Sequence, residues 1–408
     1  MSDDRTKQGV PDARPLAWYM AGQGAWFTSI GLQFVLFPFL VANVLHETPA
    51  RLGIAQMSLS APALLFMLLG GATADRSDPR TILFRIHLFA AVPPLALATM
   101  LNADALSYEV LIGYGLCMGL ATAFAVPARD ATLNRVAQGN IQRTVTLALA
   151  VQQTTQLLGM VAAISAAAFG APLLFAVQSL ILLGGGLAAR QLPPKVADAN
   201  IVHAPRLRAM RDGLGYVRQS DVLLPVVVAM FAVGVFYIGS FLVILPLIVR
   251  DYYLGGVVEL GTANIAFWGG TIVSTVFLLR FGHVTRRGRG MILALATGVA
   301  AVTGFSFEIP FWLFCTFSLI WGLGAGCVMT LSRTIVQAQT DDAFRARALS
   351  IFQLGFSGGA PLGSLLMGLL AGIFGTHTAM WFPACGMTLV LAWLMLTSRL
   401  WSLRAPAA

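Results

Sequence analysis

The sequence predicts an all-α integral membrane protein, with about twelve transmembrane helices arranged as two pseudo-symmetric six-helix bundles. Three observations predict it. Hydrophobic residues fill 57% of the 408 positions and charged residues only 11%, against roughly 25% charged in a soluble domain. Apolar stretches long enough for the roughly 20 residues that a helix needs to cross the hydrocarbon core recur along the whole chain. Basic residues gather in alternate gaps between those stretches.

In order, the apolar stretches of the first half fall at about 17–45, 52–74, 81–102, 107–128, 143–168 and 171–189, with boundaries good to a few residues. Those of the second half fall at about 222–249, 259–281, 290–308, 310–334, 347–374 and 377–400. The chain therefore divides into a tail at 1–16, a first bundle at 17–189, a linker at 190–221, a second bundle at 222–400 and a tail at 401–408. The first apolar stretch is too long for a signal-peptide core and shows no cleavage site, so it is expected to remain as a helix. Trp18, Tyr19, Tyr108, Tyr252, Tyr253, Trp312, Trp381 and Trp401 lie near stretch ends, where amphipathic rings prefer to sit.

Orientation follows from charge, because positively charged loops stay on the cytoplasmic side. With the amino terminus inside, 24 of the 26 basic residues fall in cytoplasmic segments, and only Arg51 and Arg250 fall outside. The expected location is a bacterial inner membrane with both termini in the cytoplasm. The net charge of +9 is then a matter of topology and anionic lipid headgroups, and no nucleic-acid partner is expected.

Several chemistries are excluded. Cys117, Cys315, Cys327 and Cys385 fall inside apolar stretches without metal-ligand spacing, and the five histidines are scattered, so no metal or cofactor is expected. The only lysines, Lys7 and Lys195, precede Gln and Val, which rules out a Walker-type phosphate loop. No nucleophile–base constellation suggests an enzyme.

Within the linker, Leu207, Met210, Leu214 and Val217 recur at helical spacing with arginines on other faces. This predicts an amphipathic helix, either on the inner leaflet or solvated. Arg129 and Arg333, Arg143 and Arg347, and Gly159 and Gly363 share one constant offset, and Gly71 aligns with Gly282 at a second. Such offsets are the mark of a duplicated transporter half. Both arginine pairs are expected in the loops after the fourth and tenth stretches.

Between the second and third stretches the chain reads Gly71-Ala-Thr-Ala-Asp75-Arg76-Ser-Asp78-Pro79-Arg80. This resembles the major facilitator signature G-x-x-x-D-R-x-G-R-R, with Asp78 and Pro79 in place of its Gly and Arg. Val126-Pro127-Ala128-Arg129-Asp130-Ala131, Asp212-Gly213-Leu-Gly215-Tyr216-Val217-Arg218 and Gly359-Ala360-Pro361-Leu362-Gly363-Ser364-Leu365 are similar to the branch that includes enterobactin exporters and macrolide-efflux proteins. The resemblance implies a cytoplasmic gate in which Asp75 meets the start of the eleventh helix near Arg345 and Arg347. It also implies that Arg76 or Arg80 pairs with Asp130, that Gly71 and Arg129 belong to the same region, and that transport is coupled to protons.

The residues add their own expectations. Pro361 and its neighbours Gly359 and Gly363 give the eleventh helix a kink and a small-residue face for close approach. Polar side chains near the bilayer centre avoid lipid, so Gln33, Gln153, Gln156, Tyr237, Trp268 and Trp321 are candidates for a substrate cavity; interhelical hydrogen bonding is the plainer alternative for each. Glu109, near the outer face, is the leading candidate for coupling. Amides and rings would suit export of a small amphipathic or aromatic compound, such as a siderophore, antibiotic or drug, by a monomer surrounded by membrane lipid. A nutrient importer of the same fold is the nearest alternative, and a scaffold or membrane enzyme a more distant one.

Overall fold

The computed structural model describes residues 14–137, 141–194, 206–281, 284–341 and 344–403. The chain before residue 14, the stretch 195–205 with Lys195 and His203, Gly282 of the expected repeat and residues 404–408 lie outside them. The first half consists of α1 (Arg14–Val44), α2 (Pro49–Arg76), α3 (Pro79–Asn102), α4 (Tyr108–Val136), α5 (Ile141–Phe169) and α6 (Ala171–Arg190). The linker helix is α7 (Arg206–Arg218). The second half consists of α8 (Leu223–Asp251), α9 (Val257–Phe281), α10 (Arg287–Gly304), α11 (Phe311–Ala338), α12 (Arg345–Phe374) and α13 (Thr376–Thr397).

Eleven of these helices are long and apolar enough to cross a membrane. The remaining member of the repeat, α10, has 18 residues and begins on Arg287 and Arg289; it completes the second bundle by packing on α11 and α13.

Local sequence explains the helix starts. Thr48, Asp78 and Ser107 each accept a hydrogen bond from a backbone N–H of the first turn that follows, which satisfies donors that a helix start leaves open. Pro49 and Pro79 take the first helical position, where a missing N–H costs nothing. The two departures from the family signature, Asp78 and Pro79, are thus the cap and first residue of α3.

Several helices outrun their apolar cores. α4 continues to Val136, so Arg129 and Asp130 lie on the helix and not in a loop, and Arg333 likewise lies on α11. Arg143 and Arg347 are also helical, at the starts of α5 and α12. Hydropathy marks where lipid ends, whereas backbone hydrogen bonding carries a helix into the charged interface beyond it.

The duplication is visible in the packing. In the first half Gly159 of α5 lies against the α1 backbone at Thr28 and Gly31; in the second, Gly363 of α12 lies against the α8 backbone at Gly234 and Val235. Gly170 and Gly375 stand between the last two helices of each half with φ of 81° and 82°, a region that favours glycine. The first helix of each half widens into π turns, at Leu40–Val44 in α1 and at Val233–Ile238 and Ser240–Ile244 in α8, close to Pro38 and Pro246.

The linker helix turns inward onto protein. Val217 is buried, Gly213 packs against Arg347 and Ile351, and Tyr216 stacks on Phe344 with ring centres 4.6 Å apart. The expected apolar stripe is therefore divided, with Leu214 exposed and Val217 buried.

Candidate functional site

Contacts between loops define two faces. Asp78 pairs with Arg135, Arg135 reaches the Pro193 and Pro194 carbonyls, and Arg289 reaches that of Trp401; this is the basic face. On the far face, the α1–α2 and α8–α9 loops meet. Asn43 donates to the Gly255 carbonyl at 2.8 Å, and Arg250 Nη1 donates to the carbonyls of Glu47 at 2.9 Å and Ala42 at 3.3 Å. Deeper along the seam between the halves, Gln56 of α2 donates to the Leu242 carbonyl of α8 at 3.1 Å. Gly368 of α12 lies against Pro49 and Gly53 of α2, and Gly261 of α9 against Ile164 of α5.

These seam residues were absent from the expected site. Arg250 left a trace as one of two basic residues on the wrong side of the charge rule, and Gly368 as part of the small-residue face expected of the eleventh helix. The small-residue face of α12 serves both neighbours. Gly359 and Gly363 approach α8 within the same bundle, while Gly358 and Gly368 face α2 of the other; Pro361 is buried between them.

The expected cavity residues separate into two groups. Ile164 and Gly261 meet near the far face, and Gln156 and Trp268 each lie about 11 Å deeper on antiparallel α5 and α9, at 1.5 Å per residue. Both carry a buried nitrogen without a hydrogen-bond partner, Gln156 Nε2 and Trp268 Nε1. Phe34 of α1, which sequence reasoning passed over as one more apolar residue, lies 5.7 Å ring to ring from Trp268. Beside it, Gln33 is half-buried and accepts from Tyr114 Oη at 3.0 Å. Gln153 sits one turn closer to the basic face on α5 and is half-buried.

Tyr237 and Trp321 lie elsewhere. Tyr237 Oη donates to the Leu295 carbonyl at 2.7 Å, and Trp321 is enclosed by Tyr237, Phe241, Phe267 and Phe305. They form an aromatic core inside the second bundle. The matching part of the first bundle is polar: Gln178 Nε2 donates to Tyr114 Oη at 3.1 Å and to Ser29 Oγ at 2.9 Å. Gln178 and Ser29 are fully buried, and neither was singled out from sequence.

At the basic face, Gly71, Asp75 and Arg345 are all engaged in contacts, so neither charge is a free loop charge. Asp130 lies within electrostatic reach of Arg129 and of Arg333 on the other half. Arg76 is exposed, and Arg80 lines a pocket of about 200 Å³ with Asp78, Thr81, Phe84 and Arg190. Arg347 rests 5.2 Å from the Phe344 ring centre. Arg129 itself is buried inside the first bundle, its guanidinium 4.8 Å from the Phe27 ring centre and 5.4 Å from that of Trp26. Glu109 is exposed in the first turn of α4 on the far rim, where the helix dipole favours a negative charge.

Two six-helix halves, joined along a seam that is tied at one face, define a membrane transporter. The chain belongs to the major facilitator superfamily: residues 16–407 match the family described as "Transmembrane secretion effector". It is 23% identical to macrolide efflux protein A of Streptococcus pyogenes over 393 residues, covering 91% of this chain and 92% of that one. It is 24% identical to the staphyloferrin A transporter of Staphylococcus aureus over 360 residues, covering 86% and 87%. The fold matches the nucleoside transporter NupG, with a TM-score of 0.74 at 13% identity over 94% of this chain and 98% of that one. It also matches a D-xylose–proton symporter, with a TM-score of 0.70 at 12% identity over 94% and 97%.

Proposed function

We infer that this protein exports a small amphipathic or aromatic compound from the cytoplasm by alternating access, driven by protons. The basic face is the cytoplasmic one, as its arginines require, and the protein works as a monomer in a bacterial inner membrane. One observation carries the substrate reading. Gln156 Nε2 and Trp268 Nε1 are buried and unpartnered at about the same depth on neighbouring α5 and α9, and Phe34 of α1 meets the Trp268 ring across the seam. A buried donor left unpaired costs about 1–3 kcal/mol, which a ligand carrying acceptors beside an apolar ring would recover. Relatives named for macrolide efflux and staphyloferrin transport support the class of cargo.

The two ends of the seam act as gates. The far gate is built from Asn43, Arg250, Gln56 and the Gly53–Gly368 contact. The cytoplasmic gate is built from Asp75 with Arg345 and Arg347, and Asp130 with Arg333. Reconstitution in proteoliposomes with an imposed pH gradient and a labelled macrolide tests the reading. Movement away from the cytoplasmic face is expected, and Gln156→Ala should lower apparent affinity about 5- to 50-fold, equivalent to about 1–2.3 kcal/mol for one lost hydrogen bond, with membrane abundance unchanged. Movement toward the cytoplasmic face would make the protein an importer. Unchanged affinity would return Gln156 to packing.

A further inference from the structure

The pattern Asp212-Gly213-Leu-Gly215-Tyr216-Val217-Arg218 has no part in the seam or in the expected cavity. In the fold it is the later half of the linker helix α7, which packs on α12 and on the start of α8. Gly213 backs onto α12 so closely that a Cβ there would sit 2.9 Å from Arg347 Cβ and 3.1 Å from Ile351 Cδ1. Tyr216 stacks on Phe344, with ring centres 4.6 Å apart and planes 6° from parallel. Its hydroxyl donates to Asp341 Oδ2 at 3.1 Å and accepts from the Asp341 backbone N–H at 3.2 Å.

Asp341 and Phe344 belong to the turn between α11, which ends at Ala338, and α12, which begins at Arg345. A Ser, Thr, Asp or Asn at the cap position would satisfy open donors of the first helical turn. Here that position is Phe344, whose side chain makes no capping hydrogen bond, so the start of α12 must be held in another way. The Phe344 N–H donates to the Asp341 carbonyl at 2.9 Å and closes the turn. Tyr216 grips both ends of it. One hydroxyl can donate and accept at once, so Tyr216 fixes Asp341 with two bonds and Phe344 with its ring face. Phe344 in turn bears the Arg347 guanidinium, 5.2 Å from its ring centre.

We propose that Tyr216 is a positioning residue of the cytoplasmic gate: it braces the turn before α12 and so holds Arg345 and Arg347 where Asp75 can meet them. The inference rests on the cytoplasmic gate read above. Directly after α7, Ser220 Oγ accepts from the Val222 and Leu223 N–H groups at 3.4 and 3.1 Å, which fixes the start of α8. The linker helix is thereby tied to the second bundle at both α8 and α12, and it moves with the gate arginines. The segment between the bundles does more than connect them.

Spin labels at positions 77 and 337, read in lipid, report how far the basic face is open. In Tyr216→Ala the ratio of closed to open distances should fall about tenfold, from the loss of one aromatic stack and two hydrogen bonds. Tyr216→Phe keeps the stack and loses the bonds to Asp341, so it should recover part of the closed population and leave about a threefold fall. Because the brace acts through Phe344, Tyr216→Ala added to Phe344→Leu should change the ratio far less than it does in wild type. Wild-type distances in either Tyr216 variant would overturn the proposal, as would an equal shift with and without Phe344. Asp75→Asn in the same labelled protein separates the two layers. If it opens the basic face while the Tyr216 variants do not, the gate stands and the brace falls. If it leaves the distances unchanged, the gate itself falls, and the proposal with it.

Discussion

The two ends of the seam between the bundles are held by different chemistry. At the far end the ties run from side chains to backbone carbonyls: Asn43 to Gly255, Arg250 to Glu47 and Ala42, Gln56 to Leu242. Two glycines, Gly53 and Gly368, let α2 and α12 touch. At the basic end the players are charges, with Asp75 and Arg345 both engaged and Asp130 set between Arg129 and Arg333. Backbone ties are short-ranged and depend on shape, so they break abruptly as helices separate. Charges act over a longer range and are screened by salt within about 8–10 Å. If both ends act as gates, as proposed, the far one is a steric latch and the basic one an electrostatic latch.

Adding bulk to the steric latch should produce the largest effect. A Cβ on Gly368 would lie 2.7 Å from the Pro49 carbonyl oxygen and 2.9 Å from Gly53 Cα. Gly368→Val should therefore disfavour the far-closed state by about 3 kcal/mol, the upper end of an overpacking penalty, and abolish vectorial transport while purified protein stays folded. Normal transport by this variant, measured in proteoliposomes, would mean that the contact is not part of a gate.

The electrostatic latch should respond next, with the opposite sign. Asp75→Asn should weaken closure at the basic end by about 1–3 kcal/mol, because an amide loses most of the attraction to a positive helix start and its arginines. Transport should slow while macrolide binding survives. Raising salt should reduce the difference between wild type and variant. A salt-independent deficit would show that Asp75 acts through packing.

The smallest effect belongs to Arg250→Gln. Across the seam Arg250 reaches two carbonyl oxygens, while its other nitrogens pair with the adjacent Asp251 carboxylate on its own helix, so loss of the guanidinium should cost the far-closed state about 1–2 kcal/mol. The defect should be insensitive to moderate salt, in contrast to that of Asp75→Asn. Equal salt dependence in the two variants would erase the distinction between the latches.

The same contrast explains what was legible in the sequence. Helix count, fold class and the basic-end motif could be read because apolar length, charge asymmetry and a charged signature are one-dimensional signals. The glycines of α12 could be read as a close-packing face, and Gly159 with Gly363 as a repeat. The far latch could not be read, since Asn43, Gln56 and Arg250 have backbone partners, and a backbone carbonyl has no residue identity to search for. Arg129 was misplaced in a loop because hydropathy stops at the lipid edge, whereas α4 carries it to an aromatic bed on α1. Tyr237 and Trp321 look like Trp268 in a hydropathy profile; only packing shows that the first two fill one bundle while the third reaches the other.

The central claim is that the two latches are ends of one rocking seam, so that opening one closes the other. Paired spin labels in lipid measure this directly, with one pair at positions 104 and 307 on the far face and another at 77 and 337 on the basic face. In Arg250→Gln, relative to wild type, the far-face distance should lengthen and the basic-face distance shorten in the same sample. A far-face distance that lengthens while the basic-face distance stays fixed would contradict the account, because the far contacts would then be a local clasp and not a gate.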